Sequence, residues 1–276
     1  MIPADLRRLE AWYRSYADRF MGIDKETDRA VQMKTAHTAR VRANILQIGQ
    51  GIGLEANRLL LADATALLHD TGRFRQFRDH HTFVDAVSVN HARLGLREIG
   101  KEQVLAGLDT EERRQVCRTV AWHNAQSLPT DEPAPVLELI RLLRDADKVD
   151  IFGVTLDRYE GRDLENNEAV DLGLPDSPTC SPVLLAAITA GQVAPFHLIR
   201  TLNDFKIAQL SWIFDIQFTP TFHILEKRQI VPRLCAVLPK TPQVTAALRH
   251  VTTHLARMVG RGGVIDPISV WTHSKL

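Results

Sequence analysis

A histidine and an aspartate, His69 and Asp70, stand side by side at the end of an apolar helical run. Imidazole and carboxylate groups both ligate metal ions, and neighbours at a turning helix end can both reach one ion. Gly72 then breaks the helix, and Arg73 follows it. A His-Asp dipeptide by itself is more often a polar pair at a helix end. Its chemistry therefore depends on whether the rest of a coordination sphere exists elsewhere in the chain.

Helical periodicity predicts further candidates for this coordination sphere, because it places other ligand-type side chains on the apolar faces of separate helices. They are His37 on a helix that begins at Asp24, His91 on a helix over 85–99, His123 on one over 111–126, and Asp147 on one over 136–152. An unpaired carboxylate on an apolar face costs several kcal/mol, so Asp147 requires a partner, and a cation held by the imidazoles and Asp70 would supply one. Such ligands suit Mn, Fe, Co, Ni or Zn better than Ca, with Mg as a further candidate.

The chain carries helical periodicity and no convincing strand pattern, which predicts an all-α protein. Further helices are predicted over 6–20 and 55–70, and at about 182–190, 197–216, 222–238 and 242–259. Gly72 is expected to stop the helix before it, and residues 73–83 to form a loop. The predicted organisation is an N-terminal helix over 1–24, a core over 25–155, an irregular loop over 156–181 rich in Gly, Pro and acidic residues, and a helical region over 182–276 that packs on the core.

Length and charge limit the classes of function. The 276 residues suit one large domain or a core with an appended subdomain. A net charge of +1 argues against binding nucleic acid or an anionic membrane by bulk charge. Cys117, Cys180 and Cys235 form no CxxC pair, so neither a disulfide framework nor a thiolate zinc site is indicated. Without a signal peptide or an apolar run near the ~18 residues that span a bilayer, we expect a cytoplasmic protein, as a monomer or an oligomer.

Taken in order along the chain, the histidines and aspartates predicted as metal ligands resemble the pattern of the HD-domain metal-dependent phosphohydrolases. That pattern is a helix histidine, a His-Asp pair and a distal aspartate. The matches are His37 in Thr35-Ala36-His37-Thr38-Ala39-Arg40-Val41, the pair His69-Asp70, and Asp147 in Asp145-Ala146-Asp147-Lys148. Asn90-His91-Ala92-Arg93-Leu94-Gly95 and Trp122-His123-Asn124 resemble the two extra histidine positions of subfamilies that bind more than one metal. The resemblance covers residues 25–155, and the C-terminal third of the chain lies outside it.

The resemblance implies an HD-domain helical core with an additional C-terminal helical subdomain, and one or two divalent transition-metal ions. Its metal ligands would be His37, His69, Asp70 and Asp147, with Asp70 bridging the ions if a second is bound. His91 and His123 would ligate the second ion or, failing that, bind phosphate or act as acids. The reaction implied is hydrolysis of a phosphate ester by a metal-activated water.

Substrate contacts are expected from residues beside these ligands. Arg73 just past the His-Asp pair would neutralise phosphoryl oxygens, and Asn124, Arg40 and Lys148 are further candidates, with an acidic partner as the alternative for Arg40. Asp150 shares the face of Asp147 only loosely and is a weaker candidate for a supporting role. The substrate would be a small phosphorylated molecule such as a nucleotide.

The motifs that identify substrates in this family are missing. The chain has no GYP element, and Asn124 stands where enzymes that cleave cyclic dinucleotides often carry a second histidine. Thr71-Gly72-Arg73 stands where guanosine tetraphosphate hydrolases place a Glu-Asp pair, and the His-Asp-x-Gly-basic form is nearer the phosphodiesterase-like branch. The first hypothesis is therefore a phosphohydrolase, and the alternative is a catalytically weak ligand-sensing or protein-interaction module that retains a structural metal. The remaining histidines are expected to be structural or solvated: His80, His81, His197, His223, His250, His254 and His273.

Overall fold

The computed structural model describes residues 1–161 and 173–260, which contain helices and turns and no strand. The predicted all-α class is confirmed. The chain divides into two compact units, the first over Met1–Asp150 and the second from Ile151 onward. Among the described residues, no helix has both the length and the apolar character needed to cross a membrane.

The first unit is a bundle of helices. They are α1 Pro3–Asp18, α2 Lys25–Gly51, α3 Ala56–Leu68, α4 Thr71–His80, α5 His91–Lys101, α6 Thr110–Trp122 and α7 Ala134–Tyr159, which continues into the second unit. Asp24 caps α2 as predicted, because its side chain accepts a hydrogen bond from the backbone nitrogen of Thr27 at 2.8 Å. On α2, Val41, Ile45 and Ile48 are fully buried at helical spacing. His37 lies one turn before Val41 on this buried face.

Residues 73–83 are not the predicted loop, since α4 occupies most of them. Gly72 does not stop a helix; it lies within the first turn of α4, where that helix meets α5. A Cβ at Gly72 would collide with the carbonyl oxygen of His91 and would lie 2.6 Å from the backbone nitrogen of Gly95. The glycine is therefore needed for a close approach of two backbones.

The predicted helix over 85–99 is also corrected. Asp85–Val87 form a short 3-10 turn, and α5 begins only at His91. Helix α5 begins there because Asn90 is its N-cap: the side chain of Asn90 accepts a hydrogen bond from the backbone nitrogen of Arg93 at 3.0 Å. His91 is consequently the first residue of its helix and faces α4.

The second unit is built from shorter helices: α8 Pro182–Thr189, α9 Leu202–Ser211, α10 Thr219–Lys227, α11 Ile230–Ala236 and α12 Pro242–Val259. The predicted helix over 197–216 is shortened to α9 by a Thr201 cap and flanked by 3-10 turns. The helix predicted over 222–238 is two helices, separated at Gln229, whose φ is 53°. The expected loop over 156–181 is helical as far as Tyr159. Residues 162–172 of that loop, and the predicted tail with His273, lie outside the described residues.

We expect Gly72→Ala to lower the free energy of unfolding by about 3 kcal/mol or more, because the added methyl group meets backbone atoms that cannot move independently. The matched control is Gly100→Ala on α5, where an added Cβ meets nothing within 4 Å. This control should be neutral or stabilising by up to about 1 kcal/mol, because alanine favours the helix. Urea unfolding curves of both variants test the difference, and equal effects would contradict the proposed backbone contact.

Candidate metal centre

The first unit brings together all six residues predicted as metal ligands, although they come from five separate segments of the chain. His37 lies in the middle of α2, His69 and Asp70 lie between α3 and α4, and His91 begins α5; His123 follows α6 directly, and Asp147 lies on α7. All are buried except Asp147, whose side chain keeps 21% of its surface exposed. The cluster is therefore internal to one unit, with one partly open side.

Asp70 is the centre of the cluster, because its two oxygens face different pairs of imidazoles. Its Oδ2 lies 3.6 Å from Nε2 of His37 and 3.7 Å from Nε2 of His69. Its Oδ1 lies 3.3 Å from Nε2 of His91 and 3.9 Å from Nε2 of His123. Asp147 joins the first pair, with Oδ1 3.2 Å from Nε2 of His37 and 4.0 Å from Nε2 of His69. The arrangement has two halves that share one carboxylate.

The donor atoms of these halves fit metal ions. His37, His69 and Asp70 each offer one ligand atom, and these atoms all lie within 4.8 Å of one another; the same is true of Asp70, His91 and His123. Nε2 of His69 and Oδ1 of Asp147 are buried and have no hydrogen-bond partner among the described residues. Leaving such an atom unpaired costs about 1–3 kcal/mol, which a cation between them would offset. Imidazole and carboxylate donors are those of divalent transition metals.

The other ring nitrogen of each histidine is fixed by a hydrogen bond. Nδ1 of His69 donates to the carbonyl oxygen of Ala66 at 2.7 Å, and Nδ1 of His123 donates to that of Val120 at 2.7 Å. A carbonyl oxygen only accepts hydrogen bonds, so the proton of these rings is on Nδ1. Their Nε2 atoms keep a lone pair that points towards Asp70.

The protonation states of most groups in this cluster suit the binding of a cation. Burial lowers the pKa of His69 and His91, and it lowers the pKa of His123 to about 3, so these rings are neutral. For His37, the effect of burial is outweighed by hydrogen bonds to acidic neighbours, and its pKa is raised. Burial works against ionisation of Asp70, yet the cations around it, with Lys34 foremost, hold its pKa well below the usual range. Asp70 is therefore a carboxylate.

Two cations flank Asp70, one at each oxygen. Nζ of Lys34 lies 2.8 Å from Oδ2, and Nε of Arg73 lies 3.5 Å from Oδ1. Nε of Arg73 is buried without a hydrogen-bond partner in the described part of the chain. Both cations also lie over the ring of Phe83, at 5.0 Å for Lys34 and 5.7 Å for Arg73. Lys34 is not among the residues predicted from the sequence, where its one signal is a position three residues before His37 on the same helix.

The other predicted substrate contacts lie around the cluster in different settings. Nε of Arg40 donates to Oδ1 of Asp150 at 2.6 Å, so an acidic residue is its partner in this structure. Nδ2 of Asn124 donates to Oδ2 of Asp85 at 3.1 Å, and Lys148 is half-buried next to Asp147. Contact of these side chains with a substrate stays a prediction.

The other histidines in the described part of the chain lie outside the cluster. His80 and His81 are exposed on the first unit, and His197, His223 and His250 are exposed on the second. His254 packs against Phe214 with ring centroids 5.1 Å apart.

Comparison with known proteins gives one finding. The family model of the HD domain matches residues 35–151, a range that begins two residues before His37 and ends four residues after Asp147. No curated protein and no solved structure matches the chain significantly. The matched range contains all six residues of the cluster.

We expect a divalent transition metal to stabilise the metal-free protein, because the folded state binds it and the unfolded state does not. At a free Mn²⁺ concentration of about 100 times its Kd, the gain is about 2.7 kcal/mol, and excess EDTA should reverse it. Thermal unfolding with and without metal measures this effect. Asp147→Asn should weaken the stabilisation, whereas Asp18→Asn, an exposed residue on α1, should leave it unchanged. Absence of any shift with Mn, Ni, Co, Zn and Mg would contradict the metal centre.

Proposed function

From the premise that residues 35–151 form an HD domain, we propose that the chain is a metal-dependent phosphohydrolase that cleaves a phosphate ester. The observation that carries the proposal is the position of Asp70, whose oxygens face one imidazole pair each. HD domains are mostly domains of metal-dependent hydrolases, and the chain retains a complete set of ligand residues. The substrate class is a phosphomonoester, a phosphodiester or a nucleotide, with the phosphodiesterase-like branch favoured by Arg73 after the His-Asp pair.

In this proposal the residues divide into those that hold ions and those that hold the substrate. His37, His69, Asp70 and Asp147 would hold one divalent ion, and Asp70, His91 and His123 would hold a second. Ions held there supply Lewis acidity and lower the pKa of a bound water, so that a nucleophile is available near neutral pH.

The substrate would be held by the two cations that flank Asp70. Lys34 and Arg73 lie at opposite oxygens of this carboxylate, so both are close to where a phosphoryl group must bind. Cations that are partly shielded from water stabilise the charge that develops on phosphoryl oxygens in the transition state. Nε of Arg73 supports this role, because it pairs with Asp70 only at 3.5 Å and has no hydrogen-bond acceptor within the described ranges.

His91 and His123 are assigned as ligands and not as the acid that protonates the leaving group. An acid must carry a proton near neutral pH, whereas burial and neighbouring groups lower the pKa of both rings, that of His123 to about 3. Their Nε2 atoms lie 3.0 Å apart, an arrangement that suits two neutral rings facing a shared cation.

We also propose that the protein acts in the cytoplasm, a setting that suits three cysteines without disulfides.

The enzymatic proposal is tested with an aryl phosphate and a bis-aryl phosphate, each with Mn²⁺, Ni²⁺ and Mg²⁺. We expect metal-dependent hydrolysis that EDTA abolishes, and a loss of about 10³-fold in kcat/KM for Asp70→Ala, because the variant lacks the shared ligand. Activity that survives Asp70→Ala would contradict the site. A metal-loaded protein that is inert on a broad panel of nucleotides and phosphoesters would instead favour the sensing module.

Lys34→Met and Arg73→Met should each lower kcat/KM by about 10²-fold, because each variant lacks a cationic side chain that would contact the phosphoryl group. Both variants should keep the metal content of the wild-type protein, since neither residue is a ligand. Arg97→Met is the matched control, because Arg97 is exposed on α5 and should have wild-type kinetics. Kinetics and metal analysis of the three variants separate substrate binding from metal binding; loss of metal in Arg73→Met would contradict its assigned role.

A further inference from the structure

One carboxylate outside the ligand set, Asp85, contacts several parts of the centre at once. Four side chains donate to it: His91 through Nδ1 at 2.8 Å, Gln76 through Nε2 at 2.9 Å, and Arg73 through Nη1 and Asn124 through Nδ2, each at 3.1 Å. These donors come from α4, α5 and the segment after α6. Asp85 itself lies in the 3-10 turn before α5 and is partly exposed.

The position of Asp85 is itself fixed. Gln76 is fully buried, and its Nε2 also donates to Oγ of Ser88 and to the carbonyl oxygen of Val89, each at 2.9 Å. Gln76 thus ties the turn that carries Asp85 to helix α4. The carboxylate is held by groups on several sides, so it can set the orientation of the side chains that donate to it.

The four imidazoles differ in what fixes them. His69 and His123 donate to carbonyl oxygens three residues earlier on their own helices, which the helix supplies locally. His91 instead depends on Asp85, and His37 depends on Asp150, whose Oδ2 lies 2.6 Å from its Nδ1. Each half of the centre therefore contains one ring that its own helix fixes and one ring that a separate carboxylate fixes.

We propose that Asp85 is the positioning residue that lets the His91 and His123 half hold a second ion, and that Asp150 does the same for the His37 half. The inference rests on the proposed function, which supplies the ions. A carboxylate on Nδ1 fixes the tautomer and the ring orientation in which Nε2 is the ligand, and it makes the ring a stronger donor. Asp85 also orients Arg73, so it links the second ion to the contact with the phosphate.

The test is metal binding by the full chain, measured as Mn²⁺ stoichiometry by mass spectrometry and as affinity by calorimetry. The wild-type protein should bind two ions. Asp85→Asn should weaken one of them by about 10- to 100-fold and leave the other unchanged. Asp150→Asn should weaken the other ion. Asp79→Asn is the control, because Asp79 is on α4 but pairs with surface arginines, and it should bind both ions normally.

A double-mutant cycle separates positioning from a general effect on the fold. In a His91→Ala background, Asp85→Asn should cause no further loss of affinity, because the ring that it positions is absent. Asp85→Ser, which leaves a solvent-accessible gap, replaces Asp85→Asn if that variant does not fold. If the wild-type protein binds two ions and Asp85→Asn binds them with the same two affinities, the inference is overturned but the proposed function is not. A wild-type protein that binds only one ion would have the same consequence. Wild-type protein that binds none would overturn the proposed function as well.

Discussion

The first unit depends on one buried charge, the carboxylate of Asp70. Taking an ionised carboxyl group out of water costs several kcal/mol unless cations or hydrogen-bond donors surround it. Asp70 lies at the junction of α3 and α4, where the chain turns, and its two oxygens consequently face different helices. Lys34 and Arg73 stabilise the charge within the protein. The ion-pair partners of its two oxygens are the cations of Lys34 and Arg73 and the imidazoles of His37, His69, His91 and His123.

The residues proposed as ligands can be predicted from the sequence because each follows a local rule. His37 and Asp147 continue the apolar faces of long helices, and periodicity alone indicates that such positions are buried. A carboxylate on an apolar helix face requires a partner, so the position of Asp147 on its helix already indicates a cation nearby. The His-Asp pair becomes informative only together with these companions. The class of the fold follows from the same periodicity.

The residues proposed to support these ligands cannot be predicted in this way, because tertiary packing alone brings them to the site. Asp85 is part of a turn with no periodic pattern, and its donors come from three separate segments. The prediction for Gly72 is wrong for a related reason: a glycine after a helix usually ends it, whereas here it admits the backbone of Gly95. The arginines of α4 suggest a solvated loop, although Phe74 and Phe77, three residues apart, are both buried as one helix face requires.

The two halves of the centre differ in charge, and this difference predicts which half binds its ion more tightly. The half with His37 includes Asp147 as well as an oxygen of Asp70, whereas the half with His91 has only the other oxygen of Asp70. Because attraction between ion and ligand grows with ligand charge, the second ion should be the weaker one, and its binding should depend more on how well its imidazoles are oriented. Two divalent ions would also exceed the charge of these two carboxylates, and Lys34 adds to that excess. An anionic phosphate ester, the substrate class proposed above, would neutralise the positive charge that the two ions leave.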